Sequence, residues 1–311
     1  MPSLPRTPPV PHISRRTFLA AAGGVVLLAA CGSDNSSSGS SASTTADEPR
    51  AGLTGGRLSS DLYASTEPQR FAFALQKDEQ YYGGPPATIA FAAVPPEQDE
   101  KKKPLEFGEP IPAQYRADGL PDGRGVYTVE AVFATPGVWK GNIEVEGEQG
   151  EIFFQVADQP TAPTVGSPAP VVPSPTVADP LGTDPLCTRT DANNDPAPCD
   201  LHTKNLVDIT GKGRPVAVMF ATPARCQSQF CGPVLDQLLA LQPEYQDRVD
   251  MVHVEIYQSE RGTALVPTLD GWGIMSEPWI YVIDGAGTIQ GRLDGAFSTS
   301  EIRELLDRVA A

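Results

Sequence analysis

The sequence predicts two folded parts, an all-β sandwich followed by an α/β domain, and three features carry that reading. Between residues 70 and 158 apolar side chains alternate with small or polar ones, as at Phe71, Phe73 and Leu75 and again at Tyr127, Val129, Ala131 and Phe133. That is the period of half-buried strands. Further on, the apolar run Val216 to Phe220 is followed by Val234, Leu235, Leu238, Leu239 and Leu241 in helical spacing. Strand-then-helix order is the mark of an α/β unit. A proline-, alanine- and valine-rich stretch, Pro160 to Pro185, separates the two patterns. A length of 311 residues suits two domains, and 32 prolines with 29 glycines suit small domains joined by linkers.

At the N-terminus, Ser14-Arg15-Arg16-Thr17-Phe18-Leu19 reads as a twin-arginine export signal, with an apolar stretch to Ala30 behind it. That stretch is shorter than the roughly 20 residues that span a bilayer, so it reads as a signal core. Leu28-Ala29-Ala30-Cys31 resembles a bacterial lipobox. The resemblance implies that Cys31 is acylated and becomes the N-terminus of a lipoprotein on the outer face of the cytoplasmic membrane. An ordinary cleaved signal is the alternative. Residues 32–69, serine-rich from Ser36 to Thr45, read as a flexible tether. The net charge of −16 argues against nucleic acid and against a polybasic membrane patch. Removing residues 1 to 30, with Arg6, Arg15 and Arg16 and no acid, makes the chain more acidic still.

In residues 70–158, Gly137-Val138-Trp139 and Ile152-Phe153-Phe154 add two strand candidates. Asp122-Gly123-Arg124-Gly125-Val126-Tyr127 resembles the tyrosine corner of immunoglobulin-like sandwiches, which implies a hydroxyl tied back to the backbone. No cysteine, histidine or acid pair in this part points to chemistry, and Lys101-Lys102-Lys103 beside Glu97 to Glu100 reads as a solvated loop. Spacing or partner contact is its expected role.

Residues 159–185 read as a semi-extended linker, too poor in aromatics to pack. Export makes paired cysteines the expectation. With Cys31 set aside, the remaining four divide into Cys187 with Cys199 and Cys226 with Cys231. Cys187 and Cys199 enclose a polar loop and read first as a structural disulfide, and second as an exchange pair relaying electrons to Cys226. His12 leaves with the signal, His253 lies in an alternating stretch and reads as a packed core histidine, and His202 completes no zinc spacing. No metal and no cofactor are therefore expected.

The α/β part, residues 186–311, turns on Pro215 to Leu235, where Cys226 and Cys231 sit between strand and helix. A cysteine there gains from the positive helix end and its free N–H groups, and Arg225 adds charge beside Cys226. This order of strand, two-cysteine loop and helix resembles the thioredoxin superfamily from about Asp200 to Ala311. Val249 to Tyr257 and Trp279 to Gly285 correspond to further strands, Gly287 to Gly295 to the last hairpin, and Ser300 to Ala310 to the closing helix. The resemblance implies that Pro278 is the cis-proline facing the active-site sulfurs, with Glu277 an unusual residue before it. It also implies Cys226 as nucleophile, Cys231 as resolving cysteine inside the helix, and Arg225 as thiolate stabiliser. The spacing departs from C-x-x-C. Positions i and i+5 of a straight helix lie about 8 to 9 Å apart, beyond the roughly 7 Å a disulfide bridges. Either Cys226 precedes the helix or the first turn unwinds.

The expected function is thiol-disulfide exchange on extracytoplasmic protein thiols and disulfides, served by a redox partner and anchored to the membrane through Cys31. Three alternatives stay open. The domain is a non-catalytic binding module with a permanent disulfide; a peroxidase resembling Q-type peroxiredoxins, whose threonine stands one position closer to the cysteine than Thr222; or a copper chaperone resembling Sco proteins, whose cysteines are C-x3-C.

Overall fold

The computed structural model describes residues 52–96, 104–225 and 230–310. The export signal, Cys31, the Lys101 to Lys103 run and Cys226 lie outside them. The N-terminal part is all β, with β1 (Leu53–Arg57), β2 (Gln69–Lys77), β3 (Gln80–Tyr82), β4 (Ala87–Ala93), β5 (Ile111–Arg116), β6 (Val126–Ala131), β7 (Gly137–Val145) and β8 (Glu148–Val156). Alternation makes these strands half-buried: Phe71, Phe73 and Leu75 face a core shared with Tyr127, Val129, Phe133 and Phe154. Phe71 and Phe91 meet edge to face with ring centroids 5.0 Å apart.

The ladders run β1-β8-β7-β4-β5-β6-β2, with β3 appended to β2. They close, because β1 pairs antiparallel with β2 and makes a parallel bridge, Thr54 to Glu151, to β8. The all-β part is thus a closed seven-strand barrel instead of two unlinked sheets. β1 falls in the stretch read as flexible tether. A row of free N–H and C=O groups on β2 and β8 is what makes it fold there. The Tyr127 hydroxyl donates to Pro85 O at 2.8 Å and accepts from Gly84 N–H at 3.0 Å. It ties β6 to the turn before β4, some forty residues away, and not to its own neighbourhood.

The C-terminal part contains α1 (Leu206–Ile209), β9 (Val216–Phe220), α2 (Cys231–Tyr245), β10 (Asp250–Val254), α3 (Thr268–Trp272), β11 (Trp279–Ile283), β12 (Ile289–Asp294) and α4 (Thr299–Val309). Its sheet order is β10-β9-β11-β12, with β9 parallel to β10 and antiparallel to β11, and β12 antiparallel to β11. This is a thioredoxin-like arrangement. Alternation along β9 sends Ala217 and Met219 to the face packed by Leu235 and Leu238 of α2 and Ile302 and Leu305 of α4. Val216, Val218 and Phe220 go to the other face.

That second face explains why residues 159–185 do not form a free linker. The helices that pack on it among the described residues, α1 and α3, have four and five residues and leave apolar surface that must be covered. Ala162 and Ala169 join its core, with Val172 packed against them. Pro168 bridges to Thr288. Ser174 and Thr176 are buried, and the Ser174 hydroxyl accepts from Leu206 N–H at 3.0 Å. The chain here is a strap laid across the sheet. Gly273, at φ +60°, caps α3 where the strap crosses, and a Cβ on it would stand 2.2 Å from Thr161 O.

Buried ion pairs join barrel and sheet. Arg292 on β12 reaches Asp61 at 3.0 Å and the carbonyls of Ala162 and Pro163. Arg70 on β2 meets Glu301 at 2.7 Å, and Glu301 also closes the capping box of α4 with Ser298. Arg292→Ala leaves the buried Asp61 carboxylate without its cation and is expected to cost about 3 to 5 kcal/mol in urea denaturation. A loss below about 1 kcal/mol, the size of an exposed pair, would refute that role.

Candidate functional site

β9 runs into Ala221-Thr222 and a short turn of 3-10 helix, Pro223–Arg225, and α2 then begins at Cys231 itself. Pro233 fits there because first-turn residues need no intrahelical N–H partner. Cys231 is fully buried, disulfide-bonded, and placed at the helix start, not in its interior. The i to i+5 limit of a straight helix therefore does not constrain the pair. Cys226 lies outside the described residues, so its role as nucleophile stays an expectation.

Arg225 does not stand free as a thiolate partner. Its guanidinium stacks 3.9 Å from the centroid of Tyr257 and donates to the carbonyls of Ser259 and Gly262. The Glu277–Pro278 peptide bond is cis, and Pro278 leads directly into β11. Glu277 accepts from Thr222 N–H, which sets its carboxyl against the loop before the cysteines. Burial pushes the Glu277 carboxyl up to about 7, against the Thr222 hydrogen bond, which lowers it.

Cys187 and Cys199 are not joined. Both are free thiols with sulfurs 3.8 Å apart, where a disulfide needs about 2.05 Å. Two imidazoles share their surroundings. His202 Nε2 lies 3.4 Å from the Cys199 sulfur, and His253 Nδ1 lies 3.5 Å from Cys199 and 3.8 Å from Cys187. The two imidazoles are 3.2 Å apart at His253 Nδ1 and His202 Nε2. All four donor atoms fall within 4.8 Å of one another, and such a set can hold a metal ion. His202, which completes no zinc spacing in the sequence, thus belongs to a group of four side chains that could hold a metal ion. His253 is a fully buried core residue, as its alternating strand implies, and a member of this cluster as well. Cys199 and His202 have a suggestive spacing, yet nothing local announces that β10 delivers His253 to them.

The hydrogen bond between the two sulfurs draws the Cys187 thiol far down and pushes Cys199 far up. Burial holds His202 below its ordinary value. Burial also opposes charge on His253, but its hydrogen bond to Cys187 and the charge of Glu255 outweigh this and raise it. The cluster touches the loop that follows β9. Thr188 Oγ1 donates to the Glu255 carboxylate at 3.0 Å and accepts from Ala224 N–H at 3.1 Å, and His253 Nε2–H donates to Ala221 O at 2.9 Å.

No family model matches the chain, and no curated protein matches it. Among solved structures, a Chlorobium tepidum protein described as thiol:disulfide interchange protein DsbE aligns at 14% identity and TM-score 0.32, over 48% of this chain and 99% of its own. A second Chlorobium tepidum thiol:disulfide interchange protein of the thioredoxin family aligns at 18% identity and TM-score 0.30, over 48% and 100%. A thioredoxin-like superfamily protein aligns at 15% identity and TM-score 0.22, over 35% and 88%. At such TM-scores these likenesses add nothing to what strand order establishes.

The Glu277 carboxyl gives a pH test. Folded, it keeps its proton up to about 7, whereas unfolded it releases it near 4.5. Between those values the folded chain binds more protons, so its contribution to stability is full below the lower value and is lost as pH rises through the upper one. Glu277→Gln is expected to remove this decline, read as a smaller difference between urea midpoints at about pH 4 and about pH 8 than in the parent chain. An unchanged difference would show that Glu277 titrates normally.

Proposed function

We propose that this chain is an exported, membrane-anchored protein that exchanges thiols and disulfides with proteins of the cell envelope. The observation that carries the reading is the disulfide-bonded Cys231 at the first turn of α2, directly after the β9 loop of a thioredoxin-like sheet. Cys226 is its proposed partner, with Cys31 the proposed lipid anchor. Among the described residues no helix is long and apolar enough to cross a membrane, and the Cys31 anchor supplies membrane attachment in this reading. The strand groups β1-β2-β6-β5 and β4-β7-β8 favour reading the barrel as a closed variant of the immunoglobulin-like sandwich.

In the oxidised form a client thiolate attacks the Cys226 sulfur, forming a mixed disulfide and releasing Cys231 as a thiolate that takes up a proton. A second client thiolate then attacks the client sulfur of the mixed disulfide and frees Cys226. Two electrons have passed from client to protein, and the reverse sequence reduces a client disulfide. The positive end of α2, fifteen residues long, stabilises the thiolates. A Glu277 carboxylate ionised near neutral pH opposes them, so Glu277→Ala is expected to lower the Cys226 thiol pKa, read by thiolate absorbance against pH.

Thiol trapping across glutathione buffers, with peptide mapping of Cys226 and Cys231, tests the function. A reduction potential above about −250 mV is expected for an exchanging pair. A value below about −300 mV would mark a permanent disulfide and end the enzyme reading.

A further inference from the structure

We propose that Cys187, Cys199, His202 and His253 form a closed tetrahedral zinc site that pins the strap and the redox loop to β10. The first ground is edge length. A tetrahedral zinc with Zn–S about 2.3 Å and Zn–N about 2.05 Å sets its ligands about 3.8 Å apart for sulfur with sulfur, about 3.6 Å for sulfur with nitrogen and about 3.3 Å for nitrogen with nitrogen. The measured separations are 3.8 Å between the sulfurs, 3.4, 3.5 and 3.8 Å for three sulfur–nitrogen pairs, and 3.2 Å between the nitrogens. The sixth pair, Cys187 with His202, lies within the 4.8 Å that bounds the set.

The second ground is where the lone pairs point. His253 donates Nε2–H to Ala221 O, which fixes the neutral tautomer and leaves Nδ1 as a lone pair aimed into the cluster. This is the outer hydrogen bond that orients a metal-bound histidine. His202 presents Nε2 to the same point from 3.2 Å. Two ring nitrogens facing each other that closely need a cation or a proton between them. Cys199 N–H donates to the Cys187 sulfur at 3.4 Å, a second outer contact suited to a thiolate ligand.

Burial and access fit a structural ion. His253 is wholly buried, and Cys187 and His202 nearly so. A largely apolar cavity of about 830 Å³ reaches Cys187, Cys199 and His202 from the surface beside Leu181 and Pro198, giving the ion a way in. Four protein donors leave no open position, which separates a structural site from a catalytic one. Two thiolates with two imidazoles in tetrahedral array select zinc among common divalent ions. The site clamps three strap-side residues to one residue of β10, and through Ala221 and Thr188 it holds the loop that leads to Cys226.

The test uses the full chain, reduced and stripped of metal, titrated with zinc and separately with cobalt as a spectroscopic probe. One ion per chain is expected, with tetrahedral cobalt absorption, sulfur-to-cobalt charge transfer, and two thiols shielded from alkylation at Cys187 and Cys199. Cys187→Ser and Cys199→Ser are each expected to weaken binding more than about 100-fold, since outer-shell changes alone cost about 10- to 100-fold. His202→Ala, at the loop-borne ligand, is expected to weaken it too without replacing the buried His253. Cys226→Ser with Cys231→Ser is expected to bind normally, so the zinc site stands or falls apart from the exchange reading. No uptake by the folded, reduced chain would overturn the proposal. So would loss of binding in the Cys226 and Cys231 double variant alone, or tight copper(I) binding with no zinc uptake.

Discussion

The sheet of the C-terminal part has two apolar faces and helices of useful length on only one. α2 and α4 cover the face bearing Ala217 and Met219, whereas Val216, Val218 and Phe220 share their face with helices of only four and five residues. Leaving that face wet would forfeit roughly 1.5 to 3 kcal/mol for each large side chain. The strap is the answer to this deficit, and much of the remaining architecture depends on it. Because Ala162 and Ala169 are held against the sheet, the chain that follows is led past β10, and Cys187, Cys199 and His202 arrive beside His253.

The same geometry fuses barrel and sheet. A flexible linker would leave the two parts free to reorient, but Asp61 before β2 accepts from Thr161 and Ala162 while pairing with Arg292. Close approach reinforces the joint. Gly295, at φ +71°, allows Leu58 O within 2.2 Å of where its Cβ would be, so no other residue fits that turn unshifted. Arg70 and Glu301 add a second ion pair, between β2 and the cap of α4.

Two sulfur centres then lie at opposite ends of one short loop. Cys231 opens α2, while Cys187 and Cys199 sit with two imidazoles where the loop leaves β9, connected through Ala221, Thr188 and Ala224. Glu277 stands on the other side, bonded to Thr222, so the loop is gripped from two directions before it reaches the cysteines.

Local period was enough to read the strands at Phe71, Tyr127 and Val216 and the helix after Cys231, because side-chain alternation acts between neighbours, whereas the strand at Trp279 and the closing helix were read through the family resemblance. The sequence also placed Cys231 between β9 and α2 and Pro278 ahead of β11. Tertiary structure alone decided that the barrel closes through β1, that a proline-rich stretch packs as a strap, and that two cysteines meet two histidines instead of each other. Those outcomes turn on apolar surface and unpaired backbone groups tens of residues away. The residues concerned carry no local sign of them, since Cys187 and His253 are brought together only by the sheet between them.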